Sequence, residues 1–304
     1  MNTASLQEEI LRRKKERGVA VLAHSYQARE ICEIADITGD SFRLAQAAQE
    51  LPEETILLCG VRFMAETAKL LNPSKRVLLS HPDAGCPMAD QWDGPMLREA
   101  KAAFPGYAVV AYVNTTAETK AESDVCVTSS SAVAIVRKLP EHDILFIPDC
   151  NLGAYVAAQV PEKNVKTLHG GCPTHARMTL SDVRRAREAH PAAEFLVHPE
   201  CPPAVVACAD FVGSTAAILK RAKESPSRDF IIGTENSIAE HLAYDCPEKN
   251  FFVLSKQLIC PNMKLTTLPD VLRAIEGRGG EDISIPADIE ERARRALERM
   301  LALG

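Results

Sequence analysis

The segment VAVLAHSY, residues 19–26, decides the architecture because its pattern returns twice, as YAVVAYVN at 107–114 and as EFLVHPEC at 194–201. Each is a short apolar run that ends in polar residues and lies between helical patterns. Strands of a parallel sheet buried on both faces read this way. Laying the three on one another fixes a register, with His24, Tyr112 and His198 standing 88 and then 86 residues apart. The same two steps join Ser41 to Ser129 and Thr215, and Ile56 to Ile144 and Phe230. A fourth strand is expected in RVLLSHPDAGC (76–86), NVKTLHGGC (164–172) and NFFVLSKQLIC (250–260).

Four strand-like segments sharing one register mark a diverged internal repeat of about 87 residues, too long for a solenoid unit. The unit reads as a helix followed by four βα steps. That pattern predicts an α/β fold of three similar α/β domains, each a small parallel sheet flanked by helices. Three domain-sized copies favour a pseudo-threefold arrangement with a central active site. The boundaries expected are 1–104 with an N-terminal helix, 105–190, and 191–304. The last includes a polar linker and terminal helix, GRGGEDISIPADIEERARRALERMLALG at 277–304, expected to dock or oligomerise.

Each copy ends on a cysteine. Cys86, Cys172 and Cys260 follow the fourth strands at spacings of 86 and 88, and a similar helical stretch begins 11 residues after each. If the carboxyl ends of the strands face a common axis, the three thiols converge there, since parallel sheets bind ligands at those ends. Soft thiolates select iron–sulfur clusters, zinc or copper(I). Structural zinc normally closes with four ligands. A [4Fe–4S] cube on three cysteines leaves one iron without a protein ligand, able to act as a Lewis acid. Symmetry and the missing ligand favour the cube. HGGCPTH (169–175) and HPEC (198–201) keep a zinc site open, with His169, His175 or Cys201 as added ligands. Cys32, Cys59, Cys126, Cys150, Cys208 and Cys246 lie in apolar runs or at variable positions and are assigned to packing or chance.

The neighbouring positions suit a polar, anionic small molecule. Ser41, Ser129 and Thr215 open helical stretches, where a hydroxyl and free backbone N–H groups bind carboxylate or phosphate. Ordinary N-capping is the competing explanation, and recurrence in all three copies argues against it. The first-strand ends carry His24 and Tyr26, Tyr112 and Asn114, and His198 and Glu200. Spacing i, i+2 puts each pair on one face of an extended chain, a set suited to general acid–base work.

Composition agrees. With 304 residues, 46% of them apolar, the chain can build two or three compact units. A net charge of −6 argues against a dedicated nucleic-acid binder. No stretch approaches the ~18 apolar residues of a membrane span, and the charged N-terminal segment has no signal-peptide core. A cytoplasmic location is expected. Ten cysteines in that setting do not read as a disulfide framework. No phosphate-binding glycine loop follows a strand, so a nucleotide enzyme has no support. Two rival classes remain, a zinc-dependent hydrolase or lyase on the same thiols and a non-enzymatic ligand sensor.

AHSYQ (23–27), GDS (39–41), FMAETAKLLNP (63–73), AGCPMAD (84–90), YVNTTAETKA (112–121), VTSSSA (127–132) and PDCNLG (148–153) together resemble the quinolinate synthase family. HGGC (169–172), HPEC, VGST (212–215), GTE (233–235) and CPNMK (260–264) continue the resemblance in order. It implies three α/β domains about a pseudo-threefold axis and one [4Fe–4S] cluster per chain on Cys86, Cys172 and Cys260. It also implies condensation of iminosuccinate with dihydroxyacetone phosphate to quinolinate, releasing phosphate and water, on the route to NAD. An aspartate-oxidising enzyme is the implied imine donor. Carried over, the substrate site is His24, Ser41, Tyr112, Val113, Asn114, Ser129, His198, Pro199, Glu200 and Thr215. Glu200 is the implied base, steered by His198, with Tyr26, His24 and Tyr112 moving protons. Ser25 and Ser131 stand where Asn is common, and CPNMK offers one cysteine where some relatives carry a CxxCxxC run.

Overall fold

The computed structural model describes residues 2–304. The first sheet is built from β1 (Val19–His24), β2 (Ile37–Gly39), β3 (Thr55–Cys59) and β4 (Arg76–Leu79). The second has β5 (Ala108–Tyr112), β6 (Val125–Val127), β7 (Asp143–Ile147) and β8 (Asn164–Thr167). The third has β9 (Glu194–Val197), β10 (Phe211–Val212), β11 (Asp229–Gly233) and β12 (Asn250–Val253). Each four-strand set runs parallel, with its second strand at one edge, then the first, third and fourth. Helices cover the faces, so every residue of β1 and β5 is buried. That double burial is why these strands read as unbroken apolar runs rather than alternating ones.

The repeat extends to single hydrogen bonds. Asp36, Asp124 and Asp210 occupy one position in the three units, each just before the second strand. Their carboxylates accept the backbone N–H of Val21, Val109 and Phe195 at 2.8, 2.7 and 2.7 Å. Lys75, Lys163 and Lys249 are likewise equivalent. Lys75 donates to the Ala48 carbonyl, Lys163 to that of Glu141 and Lys249 to that of Ala222, each preceding a third strand. These contacts close the end of each unit away from the cysteines.

Packing divides the molecule unevenly. Leu22 and Leu58 of the first unit, Val110 and Phe146 of the second, and Leu297 and Met300 of the last helix share one core. The third sheet has a separate core on each face, one around Phe195 and Ile231 and one around Phe230 and Ile232.

The chain then closes on itself. Helices Gly94–Ala103 and Leu180–Ala189 lead into the second and third units, capped by Asp93 and Thr179. Leu268–Ile275, with a capping box between Thr267 and Asp270, is the counterpart a fourth unit would need. It packs instead on the first unit, its Leu268, Val271 and Ile275 meeting Ile10 and Val21. β13 (Glu281–Asp282) adds antiparallel to β4. The final helix, Ala287–Leu303, lies on the first two units, where Arg292 pairs with Glu122 at 2.8 Å. The tail expected with the third unit therefore rests on the other two, docked within the same chain. Among the described residues no helix is long and apolar enough to cross a membrane.

Candidate active site and metal centre

The strand order reverses between the first and third strands of each unit. That switch point leaves a crevice at the carboxyl end of the first strand. His24 ends β1, Tyr112 ends β5 and His198 follows β9, so the repeat itself carries these residues to equivalent crevices. The three crevices meet in one cleft of about 700 Å³, open solvent at its mouth included. Cys86, Cys172 and Cys260 all line it. So do His24, Tyr26, Tyr112 and Asn114, together with Ser41, Ser129, His198, Glu200 and Thr215. Val113 and Pro199 do not line it. Val113 is buried in the shared core, and Pro199 is buried between His198 and Glu200.

The helix starts decide between capping and ligand binding. Asp40, not Ser41, caps the helix Ser41–Glu50, accepting the Arg43 N–H at 3.0 Å. Ser214, not Thr215, caps Thr215–Glu224, accepting the Ala217 N–H at 3.3 Å. Ser41 and Thr215 are thus the first helical residues, with hydroxyls free of cap duty beside unpaired N–H groups. The second unit differs, because its helix begins only at Ala132 and Ser129 lies in the preceding turn. There the Ser129 hydroxyl meets His198 Nε2 at 3.2 Å.

One hydrogen-bonded chain crosses the cleft. The Tyr112 hydroxyl donates to Glu200 Oε1 at 2.7 Å, and Glu200 Oε2 lies 2.7 Å from His175 Nδ1. His175 Nε2 is 3.0 Å from the Thr234 hydroxyl. Tyr26 Oη stands 2.9 Å from both Thr234 and Thr215. Two phenols, a carboxylate and an imidazole are therefore connected atom to atom. His175, which sequence reasoning considered only as a zinc ligand, is the nearer partner of Glu200, since His198 Nδ1 lies at 3.8 Å. His198 Nδ1 instead accepts the Glu200 N–H at 3.3 Å, as His24 Nδ1 accepts the Tyr26 N–H at 3.1 Å. Both rings thus carry their proton on Nε2 when neutral. His169 is exposed and Cys201 is buried with its Sγ 3.6 Å from the Gly233 carbonyl oxygen; neither reaches the cleft.

Burial sets the electrostatics. It pushes His24 down to about 3 and His198 down to about 4, so both are neutral at pH 7. Burial raises the Tyr26 and Tyr112 hydroxyls, and nearby Glu200 raises them further, so both stay protonated donors. Burial alone would raise Glu200 too. His175, His198 and the hydrogen bonds from His175 and Tyr112 outweigh it and hold the carboxylate ionised below the usual range.

The depressed histidines predict an acid-sensitive fold. An ordinary histidine titrates near 6.5, so as pH falls below that value the unfolded chain takes up protons the folded one cannot. Stability is full above 6.5 and drains toward the folded values, at about 2 kcal/mol per histidine by pH 5. Urea unfolding at pH 7.5 and pH 5 measures it. Replacing both His24 and His198 by Asn should flatten the difference, and an unchanged slope would contradict the assignment.

The three thiols share a cradle. Backbone N–H groups two and three residues on are directed at each sulfur, Met88 and Ala89 at Cys86, Thr174 and His175 at Cys172, Asn262 and Met263 at Cys260. Burial nevertheless pushes Cys86 up to about 12 and raises the other two. Three half-buried thiols, each facing N–H donors, suit thiolate ligands whose protons leave when a cation binds. Asp149 accepts the Cys172 N–H at 3.0 Å and Glu235 that of Cys260 at 3.4 Å, fixing those two loops from equivalent positions. Gly170, at φ +151°, passes so close to the Pro148 carbonyl and Gln91 that no Cβ would fit. In the same cleft Asn114 Oδ1 is buried without a hydrogen-bond partner, the kind of atom a bound ligand satisfies.

The family model described as "Quinolinate synthetase A protein" matches residues 8–302. The chain is 51% identical over 302 residues to a quinolinate synthase of Methanoregula boonei, covering 99% of both. It is 48% identical over 303 residues to one of Alkaliphilus metalliredigens and 46% over 304 to one of Caldicellulosiruptor bescii, with all of each chain covered. A triplicated α/β fold with its three repeat-equivalent cysteines on one cleft, matched end to end by these sequences, belongs to the quinolinate synthase family.

Proposed function

We propose that this chain condenses iminosuccinate with dihydroxyacetone phosphate to quinolinate, releasing phosphate and water, in NAD biosynthesis. The observation that carries the reading is the meeting of Cys86, Cys172 and Cys260 with Glu200, Tyr26 and Tyr112 on one cleft. The cysteines would hold a [4Fe–4S] cluster, one per chain, whose iron without a protein ligand supplies Lewis-acid polarisation of substrate nitrogen and carboxylate. The units of residues 1–104, 105–190 and 191–304 would then stand about a pseudo-threefold axis through it.

The chain's own groups supply the rest. Ser41 and Thr215, with the N–H groups of their helices, are placed to bind carboxylate or phosphate oxygens, and Ser129 faces the same space. Ionised Glu200 is the general base, since it alone in the hydrogen-bonded chain carries a negative charge at pH 7. A proton taken by Glu200 can pass to Tyr112 across 2.7 Å as that phenol gives its own proton to a departing oxygen, while His175 Nδ1, 2.7 Å from the other carboxylate oxygen, orients the base. Tyr26, tied to His175 through Thr234, offers a hydrogen bond to the same space. Neutral His24 and His198 keep positive charge away from the base and offer Nε2–H donors. Asn114 Oδ1 accepts from the substrate imine or a hydroxyl. The implied location is the cytoplasm, with an aspartate-oxidising enzyme supplying the imine.

A second reading rests on Cys172, His175 and Glu200, whose ligand atoms lie within 4.8 Å of one another and could close on a single zinc ion in a hydrolase or lyase. It leaves Cys86 and Cys260 without a task. It also asks one atom, His175 Nδ1, to give up hydrogen bonds to both Cys172 Sγ at 3.2 Å and Glu200. Anaerobic assay of quinolinate from both substrates tests the main reading. Turnover by the iron–sulfur protein supports it. Turnover by a zinc-loaded, iron-free protein would replace it.

A further inference from the structure

Each ligand cysteine is followed by a short turn, and each turn reaches into the next unit. Gln91, at the end of the turn Ala89–Gln91 after Cys86, grips Gly171 of the second unit at both ends of its amide. Its Nε2 donates to the Gly171 carbonyl at 3.1 Å and its Oε1 accepts the Gly171 N–H at 2.8 Å. Asn262, in the turn after Cys260, donates to the carbonyl of Gly85 in the first unit at 2.8 Å. His175 after Cys172 meets Thr234 of the third unit at 3.0 Å. First to second, second to third and third to first, the links close a ring.

Gly171 directly precedes Cys172, and Gly85 directly precedes Cys86. The turns that hold these amides also aim N–H groups at their own sulfurs, from Met88 and Ala89 for Cys86 and from Asn262 for Cys260. One turn therefore contacts the sulfur of its own unit and grips the backbone beside the sulfur of the next. We propose that Gln91 and Asn262 are positioning residues that lock the three sulfurs into one triangle and so govern how tightly the metal centre is held. The inference rests on the cluster reading above. Neither amide lies on the cleft, so their effect passes through the cysteines.

The test uses the full chain loaded with iron and sulfide under anaerobic conditions. Gln91→Leu and Asn262→Leu should lose iron to a chelator roughly 10- to 100-fold faster than the parent, the usual cost of removing a partner of a metal ligand. The electron paramagnetic resonance signal of the reduced cluster should shift in both. Gln91→Glu keeps the acceptor for the Gly171 N–H and should fall between parent and Gln91→Leu. If the leucine variants fail to fold, Gln91→Glu and the isosteric Asn262→Asp carry the comparison. Iron loss and spectra matching the parent in all folded variants would overturn the positioning role and leave the cluster reading intact. A parent chain that takes up no iron and sulfide would remove both.

Discussion

Alanine at Cys86, Cys172 or Cys260 should abolish quinolinate formation, and to the same degree at each position. The three thiols are equivalent in the repeat, share one cleft and receive the same pair of N–H donors. Losing any one removes a corner of the same support. Lewis-acid stabilisation of several kcal/mol corresponds to roughly a 10³-fold loss of turnover or more. Cys201→Ala and Cys150→Ala should keep turnover, because neither side chain lines the cleft. The pattern across positions is the informative part. If Cys172→Ala and His175→Ala destroyed activity while Cys86→Ala and Cys260→Ala spared it, the mononuclear site of Cys172, His175 and Glu200 would be the working one.

Glu200→Gln comes next in size. The change keeps the volume and an acceptor for Tyr112 but removes the buried negative charge. Loss of a positioned general base typically costs about 10²- to 10⁴-fold, and it should appear in kcat with KM little changed. The iron content should match the parent. His175 touches the same carboxylate, so the Glu200→Gln, His175→Asn double variant should lose little more than the worse single variant. Full additivity, or an active iron-loaded Glu200→Gln protein, would take Glu200 out of the base role.

Much of this was legible in the sequence for a simple reason. Strands buried on both faces leave long apolar runs, and three such runs at steps of 88 and 86 expose the repeat with little residue identity. Once the register was set, the cysteines and the paired polar residues at the first-strand ends followed from position alone. Asp36, Asp124 and Asp210, and the three equivalent lysines, keep the same register but are hard to see in it, since single charged residues stand out less than apolar runs. The carboxylates Asp149 and Glu235 share a register position but align with Val61 in the first unit, which hides them.

Other features were not legible because they depend on contacts between distant units. His175 stands where the other units have Ala89 and Met263, so the repeat gave it no support. Its importance comes from lying 2.7 Å from Glu200, which only the packing of the second unit on the third creates. The capping roles of Asp40 and Ser214 turn on a shift of one residue at a helix start, finer than periodicity resolves. The closing helix Leu268–Ile275 carries the signature of a fourth unit, yet folds back on the first to bury its apolar face against Ile10.

A cubane on three cysteine sulfurs with one iron open to substrate is tested by Mössbauer spectroscopy of the parent loaded with ⁵⁷Fe. The expected result is about four irons per chain, with one site alone changing its isomer shift and splitting when quinolinate is added. Irons that all stay unchanged with quinolinate bound, or a chain that holds a single zinc and no sulfide, would contradict it.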